Sequence, residues 1–292
     1  MKWLFHNSQT RRGQMETEII AIYCWTCLIL DTLGVKEDHR RVMTDSELVC
    51  TLIVASRFFS GNIEKARIFL LGHGYIPKML SASRFNRRMH DFGVERFQDV
   101  QAIVGEIFKE INPYDEYAVD SFPVPCCDNI RIFRSQILKG EKYRGYTASK
   151  KRYFYGLKVH VIVTFDGHPV EFILTPGSWN DVKAFKSFNL DLSEGSVVYG
   201  DKAYNDYADE DLLMEAAKIE LASQRKSNSK RHHSRCKEFV INTQRKMVET
   251  TFSKISGLLP KKIHAVTAAG FAIKVAAFLC ATSFSSLTSV VT

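Results

Sequence analysis

The chain has 292 residues, enough for one large domain or two modest ones. Hydrophobic residues make up 45% and charged residues 25%, globular proportions that exclude disordered, collagen-like and coiled-coil chains. With 40 Lys and Arg against 32 Asp and Glu, the net charge of +8 points to a polyanion such as nucleic acid, although a basic cytosolic enzyme would carry the same balance.

Residues 1–112 read as helical. The apolar stretch Trp3–Phe5 is far too short for a signal peptide. Cys24 and Cys27 form a C-x-x-C without a second pair or a nearby His, so two buried helical thiols are expected. Seven cysteines at irregular spacing suggest reduced thiols and a cytoplasmic protein. Thr44 and Asp45 are cap candidates before Leu48, Leu52 and Ile53, which recur at helical spacing. A second helix is expected from Asn62, stopped by Gly72-His73-Gly74, and a third after Ser81. The third places Arg84, Arg87 and Arg88 on nearly one face. A DNA-binding helix-turn-helix and a small bundle with a solvated basic face fit this outline equally.

Near Asp115 the pattern changes. The runs EYAVD, YFYGLKVHVIVTF, PVEFILT and GSVVYGD are rich in Val, Ile, Tyr and Phe and read as strands. Asp166-Gly167 marks a hairpin between the second and third. Helices are expected over 182–188 and 210–218, then a short strand over 219–222 and a long helix over 238–259. This order argues for a mixed α/β sheet with helices packed on it. The apolar segment from Ala265 is interrupted by Lys274, so it reads as a buried helix with a polar tail rather than a membrane span.

Asp120 and Asp201 each end an apolar strand in this reading. Ligands of open α/β sheets gather beyond such ends, and paired carboxylates repel unless a cation lies between them. Mg²⁺ or Mn²⁺ suits oxygen ligands, although either Asp taken alone is also an ordinary turn residue. Glu249 lies beside the stripe Val248, Phe252, Ile255 and Leu259, so it can face the sheet. Arg245 precedes it by one turn, and a plain ion pair fits as well.

The ordered motifs carry a resemblance. Asp120–Pro125 reads DSFPVP, followed by the segments Gly145–His160, Thr175–Asp181, Tyr199–Tyr204 (YGDKAY) and Glu249–Ser253 (ETTFS). Together they resemble the DDE transposases of bacterial insertion sequences over roughly residues 80–280. The resemblance implies a ribonuclease H-like mixed sheet flanked by helices over 113–292, preceded by a helical DNA-binding region over 1–112. It implies that Asp120, Asp201 and Glu249 are catalytic and hold two Mg²⁺ or Mn²⁺ ions. Many such enzymes frame the glutamate with Tyr, Arg and Lys. Arg245 fits that frame, whereas Asn242 and Ser256 stand at the Tyr and Lys positions. The implied reaction is metal-dependent strand cleavage at element ends, then attack of the freed 3′-hydroxyl on target DNA. A non-transposing nuclease and a silent DNA-binding derivative are the rivals.

Two basic runs are candidate DNA surfaces. Residues 131–158 hold nine Lys or Arg against Glu141, interleaved with Tyr143, Tyr146, Tyr153, Phe154 and Tyr155. Residues 225–237 hold six Lys or Arg and no acid. The expected DNA contacts are Arg84, Arg87, Arg88, Lys150, Lys151, Arg152, Lys158, Arg225, Lys226, Lys230, Arg231 and Arg245. Asp181 is expected to cap the next helix. No G-x-G-x-x-G, Walker loop or G-x-S-x-G is present, so no nucleotide or organic cofactor is expected. Synapsis of two element ends implies a homo-oligomer.

Overall fold

A computed structural model describes residues 2–36, 40–147 and 151–291, with side chains for 13–36, 40–128, 130–147 and 151–289. The described chain forms two compact units. One gathers the residues up to Ile103 with Leu258–Lys261 and those from Ile273 onward; the other holds Val104–Gly257 and Lys262–Ala272.

The first unit is helical: α1 (Lys2–Thr32), α2 (Asp45–Phe58), α3 (Ile63–Gly72), α4 (Ala82–Phe92) and the start of α5 (Glu95–Glu110). Thr44 closes a capping box on α2. Its hydroxyl accepts from Glu47 N at 3.1 Å, and Glu47 accepts from Thr44 N at 2.8 Å. Asp45 is therefore the first helical residue, not the cap. Asn62 caps α3, accepting from Lys65 N at 3.0 Å. Phe85, Met89 and Phe92 form the buried stripe of α4. The connection from α3 to α4, residues 73–81, is longer than a helix-turn-helix turn, which corrects the short-turn outline.

The final helix, α9, runs Ala268–Val291. Its core character is as expected, with Phe271, Phe278, Cys280 and Phe284 buried. The expected polar tail is absent among the described residues: the late Ser and Thr continue the helix, several returning their hydroxyls to carbonyls four residues back. One described helix segment, Ala268–Ser289, is long and apolar enough to cross a membrane, but most of it is buried within the protein.

From Ile273 this helix belongs with the helical unit, whereas the sequence reading put every C-terminal helix with the sheet. Packing explains the difference. Phe278 lies against Gly61, where an added Cβ would come within 2.8 Å of the ring. Ser283 Oγ donates to Gln101 at 2.8 Å. Another expectation fails in α1. Ile19, Ile22, Thr26 and Ile29 form its buried face, leaving Cys24 exposed and Cys27 half-buried.

The second unit carries a six-stranded mixed sheet. Its strands are β1 (Glu116–Asp128), β2 (Arg144–Thr147), β3 (Arg152–Thr164), β4 (Pro169–Pro176), β5 (Val197–Gly200) and β6 (Glu220–Ser223). The hydrogen-bonded order is β2-β3-β1-β5-β6, with β4 also on β3. β2 pairs with the beginning of β3 and β4 with its later part, so they follow one another along a single edge. β3 is antiparallel to β1, β2 and β4, whereas β5 is parallel to β1 and β6 to β5. A parallel neighbour requires a crossover, which α7 (Tyr207–Ala217) supplies between β5 and β6. The short helix α6 (Asp181–Phe185) precedes β5.

Helix α8 (Arg235–Leu258) buries Ile241, Val248, Phe252 and Ile255. Phe252 meets Phe122 of β1 edge-on at 5.1 Å, and Thr251 donates to Gly167 O of the β3–β4 turn at 3.0 Å. These contacts fix α8 on the sheet. Three glycines from two of the sequence motifs also meet. A Cβ on Gly145 would lie 2.6 Å from Gly177 O, and one on Gly156 would lie 2.3 Å from Val124 O. Gly177 N donates to Gly156 O at 3.1 Å.

Candidate active site

Parallel pairing brings the first two carboxylates together. Ala118 is level with Tyr199, so Asp120 and Asp201, each two residues on, stand side by side. Adjacent strands are only about 4.8 Å apart. Asp201 caps a 3-10 turn, Lys202–Tyr204, accepting from Ala203 N at 2.8 Å. Contrary to the expectation from the sequence, Asp120 does not end its strand; β1 continues eight residues further to Asp128, still paired with β3. It is instead β5 that stops, opening a gap beside Asp120.

Asp120 is pushed up to about 6, first by burial and then by Asp201 and Asp181. The Ser121 amide, 2.7 Å from its carboxylate, and the Arg245 charge oppose the shift without cancelling it. A half-buried acid faces two more acids here, an arrangement that suits a divalent cation.

Asp181 belongs to this cluster. Asn180, not Asp181, caps α6, accepting from Lys183 N at 2.8 Å. Asp181 is free to accept from Ser121 Oγ at 2.6 Å and from Lys158 Nζ at 2.8 Å. His160 Nδ1 lies 3.5 Å from the same carboxylate, and its Nε2 is 3.0 Å from Thr175 Oγ1. Burial, chiefly, and the Lys158 charge pull His160 down to about 4, so it is neutral at physiological pH. Tyr204 is almost wholly buried; desolvation first, then Asp181, Asp120 and Asp201, hold its phenol well above the usual range.

Glu249 stands differently. Its side chain is 62% exposed and lies 3.7 Å from Arg245. Arg245 donates to Gln224 at 2.9 Å, and Gln224 also donates to Asn242, the residue at the expected Tyr position. Gln224 N donates to Gly200 O at 3.0 Å, so this residue fastens α8 to the end of β5. Among the described residues no three His, Cys, Asp or Glu side chains are gathered closely enough to hold a metal ion. Asp120 and Asp201 therefore fit a cation on electrostatic grounds, while Glu249 is not closed onto them.

The expected DNA contacts divide sharply. Arg84 and Arg87 are exposed on α4, whereas Arg88 binds the buried Asp45 at 2.7 Å. Lys150 lies outside the described residues. Lys151 is exposed in a left-handed turn, and Arg152 is 3.3 Å from Asp128 yet half exposed. Lys158 is held by Asp181. Arg225 is not a surface residue: it grips Glu210 through both nitrogens in a buried pair. Arg231 is bidentate to Asp211 at 2.7 and 2.8 Å, while Lys226 and Lys230 are exposed. Of the rings named above in the first basic run, Phe154 and Tyr155 are core; Tyr146 and Tyr153 are outward, 4.9 Å apart.

Sequence reasoning missed Ser121, Tyr204 and Gln224. The first two lay inside the quoted motifs DSFPVP and YGDKAY; Gln224 carried no such signal.

Fold and site together define a mixed α/β protein with an acidic centre where β5 ends beside the middle of β1. Residues 113–264, just over half the chain, match the family model described as "Transposase DDE domain", and the chain belongs to that family. No curated protein and no solved structure shows a significant match. Transposase function and association with DNA follow from this membership in general terms.

Proposed function

We propose that the chain cuts DNA at the ends of a mobile element and joins those ends to target DNA. The observation that carries this reading is the half-buried Asp120 beside Asp201, charge against charge, within the family's catalytic domain. The strand order supports a ribonuclease H-like sheet, since the antiparallel part, β1 to β4, precedes the parallel β5 and β6 in sequence. In this reading Asp120 and Asp201 hold divalent ions, two of Mg²⁺ or Mn²⁺, and Glu249 completes the set from α8. Such ions, when bound, lower the pKa of a nucleophilic water or hydroxyl and stabilise the leaving oxygen.

The chain's own residues do the rest. Asp181 orients Ser121 and Lys158 beside the acids. Lys158 offers a cation for a phosphate oxygen at the rim. Gln224 and Arg245 hold the α8 face that carries Glu249. Lys151, Lys226 and Lys230 are exposed cations for the DNA backbone. Synapsis of two ends calls for an oligomer, acting in the cytoplasm.

The test uses DNA bearing the coding segment's own flanking sequences. Wild type with Mg²⁺ gives cuts at the element boundary and joined products, and Asp120→Ala, Asp201→Ala and Glu249→Ala each give neither while still binding. Hydrolysis without joining identifies a nuclease. A second reading draws on the exposed Glu249: a silent end-binding protein, identified by sound binding with no metal-dependent cut.

A further inference from the structure

The segment between β1 and β2 has no role in the chemistry above, yet it carries the most exposed hydrophobic side chains of the sheet unit. A 3-10 turn, Asn129–Arg134, presents Ile130 at 92% and Phe133 at 93% exposure. Residues three apart in a 3-10 helix eclipse one another, so both project from one face. Exposed apolar residues scattered singly are common, whereas these two bare side chains share one face of one turn. The base of the turn is fixed: Ile137 and Leu138 are buried, and Ser135 Oγ donates to Ile137 O at 2.6 Å.

The surroundings identify the partner. Arg131 and Arg134 are exposed on the same turn. Asp128, at the end of β1, is level with Phe154, and Phe154 is level with Gly145, so the turn emerges at the tip of the β2–β3 pair. At that tip stand Lys151 and Arg152, with Arg144 4.3 Å above the Tyr153 ring. A bare apolar pair within a cationic tip complements a polyanion with stacked apolar bases, rather than a second copy of this +8 chain.

We propose that Phe133 and Ile130 form a wedge that inserts into the element-end duplex and unstacks a base step. This rests on the DNA-processing function above and deepens it. Along the extended β1, Asp128 lies roughly 26 Å from Asp120, at about 3.3 Å per residue. The unstacked step is then about eight base pairs from the scissile phosphate, at about 3.4 Å per step.

The experiment places 2-aminopurine at successive positions in the same flanking DNA and follows its fluorescence. Wild type brightens the probe at one step near that distance. The double variant Ile130→Ala/Phe133→Ala loses the signal and about tenfold in affinity, as expected for lost stacking. Ile130→Ala/Phe133→Trp regains most of both, and a preformed two-base bubble at that step restores the double alanine variant's affinity. Because both side chains are solvent-exposed, the variants keep the fold. An unchanged signal in the double variant overturns the wedge, as does altered self-association with unstacking intact. A wild type that cuts but never unstacks overturns the wedge alone; a wild type that binds no end DNA overturns the function with it.

Discussion

Glu210 and Asp120 are both largely withdrawn from water, yet their surroundings are opposite. Glu210 receives both nitrogens of Arg225 and the hydroxyl of Ser223, the latter at 3.1 Å. Asp120 faces Asp201 and Asp181, with only a backbone amide and the Arg245 charge to offset them. A buried carboxylate with its own arginine is a structural fastener. A half-buried carboxylate facing like charges is, in the function proposed above, a place for a cation from outside the chain.

The largest effect expected from this contrast is at the fastener. Arg225→Ala leaves Glu210 buried and unpaired, and should lower unfolding stability in urea by about 3–5 kcal/mol. A variant as stable as wild type would remove the structural reading of the pair.

The opposite sign is expected at Asp120. Its pKa rises from the ordinary 3.8 to about 6 on folding, so the folded state binds the extra proton between those values. Stability therefore falls as pH rises through that window, by on the order of 3 kcal/mol at about 1.4 kcal/mol per pKa unit. Asp120→Asn should stabilise the metal-free protein at pH 7 by that order and change little at pH 3.5. Mg²⁺ should then raise the melting temperature of wild type but not of the variant.

His160 sharpens the comparison from the other side. It is buried and neutral, with its pKa pulled from 6.5 down to about 4. Its contribution is present above pH 6.5 and is lost as pH falls toward 4, the reverse of the Asp120 effect over much of the same range. The wild-type profile contains both, so the difference between wild type and His160→Gln is the quantity to measure. That difference should show the variant gaining relative stability on acidification.

The smallest effects on the fold are expected at the surface cations. Lys226→Ala and Lys230→Ala should leave stability within about 0.5 kcal/mol of wild type. Each should weaken DNA binding across sequences and reduce the salt slope by about 1. Arg231→Ala loses only a solvent-screened pair with Asp211 and should leave the urea midpoint close to that of wild type.

Much of the architecture was legible in the sequence because it rests on local rules. Thr44 and Asn62 announce caps, Asp166-Gly167 a hairpin, and the Val-rich runs their strands. The glycine motifs were also visible, although their reason was not: Gly145, Gly156 and Gly177 are distant in sequence and meet only through the β2–β3–β4 edge. Asp120 beside Asp201 was foreseeable from their strand positions, whereas Asp181 beside Ser121 depends on how α6 docks. The two basic runs looked alike by composition. They differ because the acids that neutralise Arg225 and Arg231 come from α7, which no count within the run can reveal. The four-residue β2 and the cluster joining α9 to the first unit are tertiary outcomes of the same kind.

The central claim is that the like-charged pair Asp120 and Asp201 takes up a divalent cation. Electron paramagnetic resonance of Mn²⁺, titrated into wild type, Asp120→Ala, Asp201→Ala and Arg225→Lys, tests it without requiring DNA or turnover. Saturable loss of the free-ion signal with wild type and Arg225→Lys, abolished in both aspartate variants, is the result predicted. Equal Mn²⁺ uptake by wild type and the aspartate variants, or none by any folded form, would contradict it.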